Sequence, residues 1–215
     1  MSAGTFVTLE GGEGAGKSTL IRRLAALFAD RHGRTVVQTR EPGGSPGAEA
    51  IRAVLLGGTT GDFDATTEAL LFAAARRDHV RATIRPALKA GRLVLCDRFI
   101  DSTRAYQGAA GDLPASVVRR LETLAIGRLR PHLTLILDLP PEIGMARAAD
   151  RHGATLATSD RFEAKSLAFH EKVRSAFLDI ARAEPARCRV VDATQPPDIV
   201  LAAAEAAILA AGGGR

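Results

Sequence analysis

The feature that most constrains the fold is a glycine-rich segment that directly follows a short apolar run near the N-terminus. The run Thr5–Glu10 leads into Gly11-Gly12-Glu13-Gly14-Ala15-Gly16-Lys17-Ser18, which matches G-x-x-x-x-G-K-[ST] at every fixed position. This pattern predicts a strand, a phosphate-binding loop and a helix that begins near Lys17. Backbone N–H groups would cradle the phosphates, Lys17 would reach the β- and γ-phosphate oxygens, and the Ser18 hydroxyl would bind Mg²⁺. The loop indicates a user of nucleoside triphosphates without specifying the reaction.

Short apolar runs alternate with helical patterns along the rest of the chain. Runs rich in Val, Leu and Ile predict five buried strands, at 5–10, 35–39, 93–97, 133–139 and 189–192. The intervening patterns predict helices at 17–31, 47–56, 66–90, 114–126, 142–151, 162–183 and 197–211, the third of them kinked by Pro86. This order predicts an α/β fold, a five-stranded parallel sheet with helices on both faces, whose ligands bind beyond the carboxyl ends of the strands.

Missing residue types exclude several functions. The chain has no asparagine, so it has neither an N-glycosylation site, nor a Cys-His-Asn triad, nor the Asn-Lys-x-Asp element of GTPases. It has no Trp, eight Phe and one Tyr, too few to build stacking platforms for single-stranded nucleic acid. We therefore expect no nucleic-acid partner, and we expect the net charge of +5 to serve phosphate handling.

The sequence predicts a cytoplasmic protein with no membrane partner. No run approaches the ~18 consecutive apolar residues of a membrane span, and the N-terminus lacks the basic-then-apolar pattern of a signal peptide. Cys96 and Cys188 lie inside apolar runs without a His/Cys cluster, so we expect reduced core thiols. The length of 215 residues fits one domain over 1–215.

Two acidic residues that end apolar runs are candidates for the carboxylate beside the Mg²⁺. Asp97 follows Leu93-Val94-Leu95-Cys96, and Asp138 ends Leu135-Ile136-Leu137. Asp97 is favoured because Arg98 follows it and would place a cation beside the same phosphates. Since the chain also lacks the Ser-Gly-Gly-Gln signature of ABC-type ATPases, these features indicate a small kinase.

Four further segments, in order and with compatible spacing, resemble the thymidylate kinases. They are Thr-Arg-Glu-Pro-Gly-Gly-Ser at 39–45, Leu-Phe-Ala-Ala-Ala-Arg at 71–76, the run from Asp-Arg-Phe-Ile-Asp-Ser to Ala-Tyr-Gln-Gly over 97–108, and Asp-Arg-Phe-Glu at 160–163. The resemblance spans roughly residues 5–195. It implies a P-loop nucleoside monophosphate kinase fold, ATP and Mg²⁺ as cofactors, dTMP as the acceptor that becomes dTDP, and commonly a homodimer.

The resemblance also implies how the acceptor is held. Phe72 and Arg76 are four residues apart in a helical pattern and so share a face, where Phe72 would stack on thymine while Arg76 donates to its carbonyl. Arg98, just past a strand, would hold the acceptor phosphate with its guanidinium. Tyr106 would pack where a ribose 2′-hydroxyl would project, and so would select deoxyribose. Gln107 would meet the base edge.

Other residues of these segments have less defined roles. The resemblance gives Glu13 the acceptor 3′-hydroxyl, and Ser102 would add a hydrogen bond near the base. Arg40 and Glu41 would line the acceptor pocket. Ala75 stands where many members have an acid before the arginine, which leaves open how Arg76 is supported.

The transferred phosphoryl group needs a cation. Enzymes of this family place a catalytic arginine either in the P-loop or in a mobile lid, and Glu13 occupies the P-loop here. We therefore expect the lid, at about 148–161, to supply it. Arg151 is the first choice, Arg147 is expected near the adenine, and Arg161 also belongs to this segment. Residues 191–195 resemble the loop of the family that borders the adenine.

Three other classes of protein fit parts of the pattern. A deoxynucleoside kinase would use the same donor loop with Glu41 as a base, and would phosphorylate thymidine rather than dTMP. A nucleotide sensor without catalytic activity would not need Lys17, Ser18, Asp97 and the lid arginines together. A nucleic-acid-dependent ATPase would need the aromatic residues that this chain lacks.

Overall fold

A computed structural model describes residues 4–57, 63–154 and 165–212 of the chain. In these residues, five strands form one sheet with the order β2-β3-β1-β4-β5, and every neighbouring pair is parallel. The strands are β1 (Thr5–Glu10), β2 (Val36–Arg40), β3 (Leu93–Asp97), β4 (Leu133–Asp138) and β5 (Cys188–Asp192). The predicted α/β fold with a five-stranded parallel sheet is confirmed, with strand ends within a residue of those predicted.

The connections between the strands are helical. The described helices are α1 (Lys17–His32), α2 (Pro46–Leu56), α3 (Ala65–His79), α4 (Arg85–Lys89), α5 (Ile100–Thr103), α6 (Ala115–Ile126), α7 (Pro141–Ala154), α8 (Leu167–Ala183) and α9 (Pro197–Ala210). Two π-helical turns, Val80–Ile84 and Arg104–Ala109, join α3 to α4 and continue α5.

Helices bury both faces of the sheet, which explains why β1, β3 and β4 are apolar without strict alternation. On one face, Leu24 and Phe28 of α1 pack with Ala204 and Ile208 of α9 in a single buried cluster. On the other face, further buried clusters join the sheet to the segments around Val80–Ile84, to α6 and to α8. The carboxyl ends of the adjacent strands β1 and β3 consequently open together at one edge of the molecule.

The helix predicted over 66–90 is interrupted, as Pro86 led us to expect. The change lies before the proline, in the π-helical turn Val80–Ile84. Pro86 has no N–H and cannot donate to the carbonyl of Ala82, so the regular α-helical ladder cannot run through this point. The wider turn accommodates the missing hydrogen bond.

The sequence did not predict the helical segment formed by α5 and the turn Arg104–Ala109. Buried residues occur throughout this segment, Ile100, Thr103 and Tyr106 among them, so it lacks an amphipathic period. The π-helical turn places Tyr106 and the adjacent Gln107 both in buried positions. Such turns are frequent at functional sites because they redirect consecutive side chains.

The predicted lid falls partly on a helix. α7 extends to Ala154, three residues past its predicted end at 151, so residues 148–154 are helical. The remainder of the predicted lid, including Arg161, lies outside the described residues. The next described helix begins at Leu167 with Ser166 as its N-cap, and residues 162–164, where this helix was predicted to begin, are likewise outside.

The remaining sequence-based expectations concern membrane-spanning segments and the two cysteines. Among the described helices, none combines the length and the apolar character needed to cross a bilayer. Cys96 and Cys188 are free thiols in buried positions, as predicted.

Candidate active site

A pocket with a cavity volume of about 320 Å³ opens at the carboxyl ends of β1 and β3. Most of the predicted site residues line it: Glu13, Gly14, Ala15, Gly16, Lys17, Ser18, Arg40, Phe72, Arg76, Asp97, Arg98, Ser102, Tyr106 and Gln107. Residues from four separate stretches of the sequence thus meet in one place.

The glycine-rich loop wraps around the lysine that follows it. Lys17 Nζ donates to the carbonyl oxygens of Gly11 at 3.0 Å and Gly12 at 2.7 Å. Burial, followed by the charge of Arg98, lowers the pKa of Lys17. Gly14 adopts a positive φ of 67°, and a Cβ there would lie 2.1 Å from the carbonyl oxygen of Gly144. Only glycine therefore lets the loop pack this closely against α7.

Ser18 and Asp97 form an oxygen-rich pair beside the loop. The Ser18 hydroxyl donates to Asp97 Oδ2 at 2.6 Å. Asp138, the other candidate for this role, is held instead by Arg174, whose Nε and Nη2 donate to its two oxygens at 2.7 and 2.9 Å. In the described parts of the chain, no three or more His, Cys, Asp or Glu residues are grouped so that they could hold a metal ion by themselves. One hydroxyl and one carboxylate suit Mg²⁺, which keeps several waters and takes further oxygens from substrate phosphates.

Glu13 is an acid in a phosphate site, and the structure gives it cationic and hydroxyl partners. Arg98 Nη2 and the Tyr106 hydroxyl both donate to Glu13 Oε1, the latter at 3.1 Å. Burial opposes ionisation, but the charges of Arg98 and Lys17 outweigh it and lower the pKa of Glu13 to about 2. Glu13 is therefore a carboxylate at neutral pH. It can accept a hydrogen bond from an acceptor hydroxyl.

Arg98 sits at the centre of the pocket on strained backbone. Its φ is 65°, a left-handed conformation that is uncommon for residues other than glycine and that recurs at functional sites. Its Nη1 donates to the Gly11 carbonyl and to Ser102 Oγ, both at 3.3 Å. Its Cζ lies 4.9 Å from the centre of the Tyr106 ring. These contacts hold the guanidinium between the glycine-rich loop, Ser102 and the Tyr106 ring.

The structure adds Glu10 to the candidate site, although its sequence position indicated only the end of a strand. This fully buried carboxylate accepts from the backbone N–H of Phe99 at 2.8 Å and from the Ser102 hydroxyl at 2.6 Å. It thereby holds the residue that follows Arg98 and the first turn of α5. Burial, with the neighbouring charge of Asp101, raises the pKa of Glu10 to about 7. The signal in the sequence was an acid at the end of an otherwise apolar strand.

Glu10 should make the stability of the protein depend on pH. The folded state binds its proton more tightly than the unfolded chain, whose value is 4.5, so this stabilisation is complete below pH 4.5 and is lost as the pH rises through 7. Between pH 4.5 and 8.5 the free energy of unfolding should therefore fall in the wild type, relative to Glu10→Gln, by on the order of 3 kcal/mol. Urea unfolding of both proteins at several pH values measures this difference. Parallel pH profiles would show that Glu10 does not titrate in this range.

The residues predicted to bind the base also line the pocket. Arg76 is buried, with Nε 2.6 Å from Glu41 Oε2, and Phe72 is half-buried on the same helix. Gln107 Nε2 donates to the buried Glu68 at 2.9 Å, so one of its two N–H groups is committed to the protein.

Arg40 lies at the pocket edge rather than inside it. Its Nη2 donates to both carboxylate oxygens of Glu49 at 3.1 Å, and more than half of its side chain is exposed. A phosphate or sugar could replace Glu49 as the partner of Arg40 at a small cost in free energy, because exposed ion pairs contribute little to stability.

Of the lid arginines, Arg147 has a described side chain. It is exposed on α7, and its Nη1 lies 3.4 Å from the carbonyl oxygen of Ala193, in the segment 191–195 that was predicted to border the adenine. Arg151 is one turn further along α7, and its side chain is outside the described part of the structure.

Comparisons with known proteins agree with this arrangement. The model of the thymidylate kinase family matches residues 9–204. A thymidylate kinase of Caulobacter vibrioides is 57% identical over 203 residues, which are 94% of this chain and 95% of that protein. One from a Bradyrhizobium species is 55% identical over 197 residues, 92% of this chain and 86% of that protein. The crystal structure of a thymidylate kinase from Ehrlichia chaffeensis superposes with a TM-score of 0.75 at 32% identity, and covers 95% of this chain and 99% of its own.

Proposed function

The chain belongs to the thymidylate kinase family and catalyses the ATP-dependent phosphorylation of dTMP to dTDP, and we propose that the pocket residues divide this reaction into donor and acceptor roles. The observation that carries the proposal is the meeting of Lys17 and Arg98 in one pocket, with Glu13 between a cation and a hydroxyl donor. One end of this pocket suits a triphosphate, and the other suits a nucleoside monophosphate.

The donor end binds ATP through the loop Gly11–Ser18. In this proposal Lys17 exchanges its two backbone acceptors for the β- and γ-phosphate oxygens, which are stronger acceptors because they are charged. Ser18 and Asp97 would hold Mg²⁺, for which their oxygens fit. The ion would offset negative charge on the phosphates.

The acceptor end binds dTMP along Arg98, Tyr106 and Arg76. Arg98 would hold the phosphate, Glu13 would accept from the 3′-hydroxyl, and Tyr106 would pack against the sugar. Phe72 and Arg76 would take the thymine. Ser102 supports this arrangement through Arg98, since its hydroxyl accepts from the Arg98 guanidinium and donates to Glu10.

No general base is needed for this reaction. The attacking oxygen of the dTMP phosphate is already anionic at neutral pH, so the barrier comes from repulsion between two phosphates and from the charge that develops during transfer. Lys17 and Arg98 supply positive charge from the described part of the pocket. We propose Arg151 as the cation that meets the transferred group in the transition state, with Arg147 beside the adenine.

The deoxynucleoside kinase alternative is not favoured. It would need Glu41 as a free base near a 5′-hydroxyl. Both oxygens of Glu41 are instead occupied, Oε2 by Arg76 and Oε1 by His79 at 3.0 Å. A carboxylate whose two oxygens are both directed at partners within the protein is not positioned to take a proton from a substrate hydroxyl.

An ADP-release assay with ATP and Mg²⁺ tests the proposed function. The acceptors are dTMP, dUMP, thymidine, AMP and single-stranded DNA. We expect dTMP to give the fastest turnover. Release of ADP with thymidine but not with dTMP would support the deoxynucleoside kinase, and stimulation by DNA alone would support a nucleic-acid-dependent ATPase.

Tyr106 should determine the choice of sugar through the bulk of its ring. The ring is fixed between Arg98 and the rings of Phe169 and Phe177, whose centres lie 6.1 and 6.3 Å away. We expect Tyr106→Ala to reduce the preference for dTMP over ribothymidine monophosphate, in kcat/KM, by at least roughly tenfold. Tyr106→Phe is the matched control, because it keeps the ring and loses only the hydroxyl that reaches Glu13. Unchanged discrimination in the alanine variant would contradict this role.

We also propose that the enzyme is a homodimer. α3 packs between α2 and α6, and each of these helices has an exposed apolar side chain, Val54 at 41%, Leu70 at 53% and Leu124 at 72%. Burial of these side chains against a second copy would remove apolar surface from water. A mass in solution of 22.6 kDa by light scattering would contradict the dimer.

The cytoplasm is the proposed location. Cys96 and Cys188 are buried free thiols, which is typical of proteins in a reducing compartment. Recovery of the protein from a periplasmic or membrane fraction of cells would contradict this location.

A further inference from the structure

The guanidinium of Arg76 is held by three partners that belong to the protein itself. Its Nε donates to Glu41 Oε2 at 2.6 Å, its Nη1 to Thr103 Oγ1 at 3.0 Å and its Nη2 to the carbonyl oxygen of Phe99 at 2.9 Å. Arg76 is only 3% exposed. These bonds use three of its five N–H groups and fix the plane of the guanidinium before a ligand arrives.

Glu41 is itself held from the opposite side by a buried histidine. His79 Nδ1 lies 3.0 Å from Glu41 Oε1, and His79 Nε2 lies 2.6 Å from Thr39 Oγ1. Because a carboxylate only accepts hydrogen bonds, Nδ1 must carry a proton and donate to Glu41. In the neutral imidazole Nε2 is then an acceptor, and the Thr39 hydroxyl donates to it.

The backbone of Gly44 closes over the outer end of this chain of hydrogen bonds. It has a φ of 81°, and a Cβ at this position would lie 2.3 Å from Thr39 Oγ1 and 2.5 Å from His79 Nε2. Any other residue would separate the two groups or be displaced by them. The contact between Thr39 and His79 is therefore enclosed by the loop that follows β2.

From these contacts we propose that Glu41 and His79 are positioning residues for thymine recognition, which act through the guanidinium of Arg76. This inference rests on the proposed function, in which Arg76 donates to the base. Ala75, which stands where many relatives have an acid, cannot support Arg76, and a carboxylate 35 residues earlier in the chain does so. His79 holds the second carboxylate oxygen of Glu41, and Thr39 holds the imidazole of His79 from its other side.

This arrangement also has a consequence for the choice of base. A guanidinium offers only donors, so a fixed Arg76 favours a base with a carbonyl at the contacted position and disfavours one with an amino group there. A pyrimidine with an amino group in place of that carbonyl would leave a buried donor facing another donor. If Arg76 loses its support, both the affinity for dTMP and the discrimination against dCMP should decrease.

Three variants test the inference through steady-state kinetics of the full-length enzyme. Glu41→Gln should raise KM for dTMP by about 10- to 100-fold while KM for ATP stays within about twofold. His79→Gln, which loses the donor at the Nδ1 position, should behave similarly. His79→Asn places an amide at that position and should recover most of the affinity for dTMP. The dTMP-to-dCMP ratio of kcat/KM should fall in the first two variants.

A matched pair of threonine variants covers the case in which these proteins fold poorly. Thr39 and Thr8 lie on either side of Cys96 in the sheet, each in register with it. Thr8 Oγ1 forms its hydrogen bond with Thr134 Oγ1, at 2.8 Å, and not with Glu41 or His79. We expect Thr39→Val to raise KM for dTMP by about 3- to 10-fold and Thr8→Val to leave it within about twofold. Each variant loses one hydroxyl that is hydrogen-bonded within the fold, so a general loss of stability would affect both variants.

The outcomes separate this inference from the proposed function. Absence of ADP release by the wild type with dTMP would overturn the proposed function and with it the inference. A normal wild type, together with Glu41→Gln and Thr39→Val variants whose KM for dTMP stays within twofold of it, would overturn only the inference. A rise in KM for dTMP and ATP together would also overturn it, because that pattern indicates a general distortion of the fold.

Discussion

Arg98→Ala is expected to lower kcat/KM for dTMP by at least about 10³-fold, and to raise KM for dTMP by about 10- to 100-fold. Arg98 holds the acceptor phosphate in the ground state as well as in the transition state in our proposal, so both binding and turnover should suffer. The variant also removes the main cation beside Glu13, whose negative charge would then face the incoming phosphate. Steady-state kinetics with dTMP and ATP varied separately measures both effects.

Two further variants show whether the loss comes from this contact. Arg98→Lys keeps the charge but loses the planar fork, and should recover only part of the affinity for dTMP. Arg182→Ala removes the same charge from an exposed pair with Asp179 on α8, at 73% and 64% exposure, and should leave the kinetics unchanged. Equal losses in Arg98→Ala and Arg182→Ala would mean that only the overall charge of the protein matters. Normal affinity for dTMP in Arg98→Ala would place the acceptor phosphate elsewhere.

The parts of this site that were predictable from sequence are those encoded by neighbouring residues. The residues of the loop Gly11–Ser18 are contiguous in the chain because they all form one local turn, so the loop can be recognised from a short sequence pattern. The strands were recognisable because burial on both faces requires continuous apolar runs. The carboxyl ends of β1 and β3 then bring Asp97 beside Ser18, since parallel neighbours align their ends. Local sequence pattern and sheet topology were therefore enough to predict which residues meet at the proposed donor end of the pocket.

The acceptor end depends on contacts between distant residues, which no local pattern encodes. Arg76 obtains its carboxylate from Glu41, and the buried Asp101 is satisfied by Arg187, which is 86 residues away in the chain. Buried residues recur throughout the segment Ile100–Ala109, so the helical period that reveals a surface helix is absent. Side-chain pairing in a low-dielectric interior, rather than propensity, determines this end of the pocket.

The catalytic cation for the transferred phosphoryl group should come from α7 or from the segment that follows it. The P-loop offers Glu13 where other members of the family carry an arginine, and this acid is already paired with Arg98. Arg98 in turn lies against the Tyr106 ring, and we propose that it holds the acceptor phosphate. Arg147 contacts the segment near Ala193 and so lies toward the proposed adenine end. Arg151 lies four residues further along the same helix and is the only other arginine of α7.

We therefore expect Arg151→Ala to lower kcat by roughly 10³-fold while KM for dTMP changes little, because the contact would form chiefly in the transition state. Arg98→Ala should differ by weakening dTMP binding as well. Arg147→Ala should mainly raise KM for ATP, since its proposed place is beside the adenine. Single-turnover kinetics at saturating ATP and dTMP isolates the transfer step from binding and product release.

Normal turnover of Arg151→Ala with an inactive Arg147→Ala or Arg161→Ala would assign the role to another arginine of this segment. Full kcat in all three variants would mean that the cation does not come from α7 or the predicted lid, and Lys17 and Arg98 would then have to meet the developing charge alone.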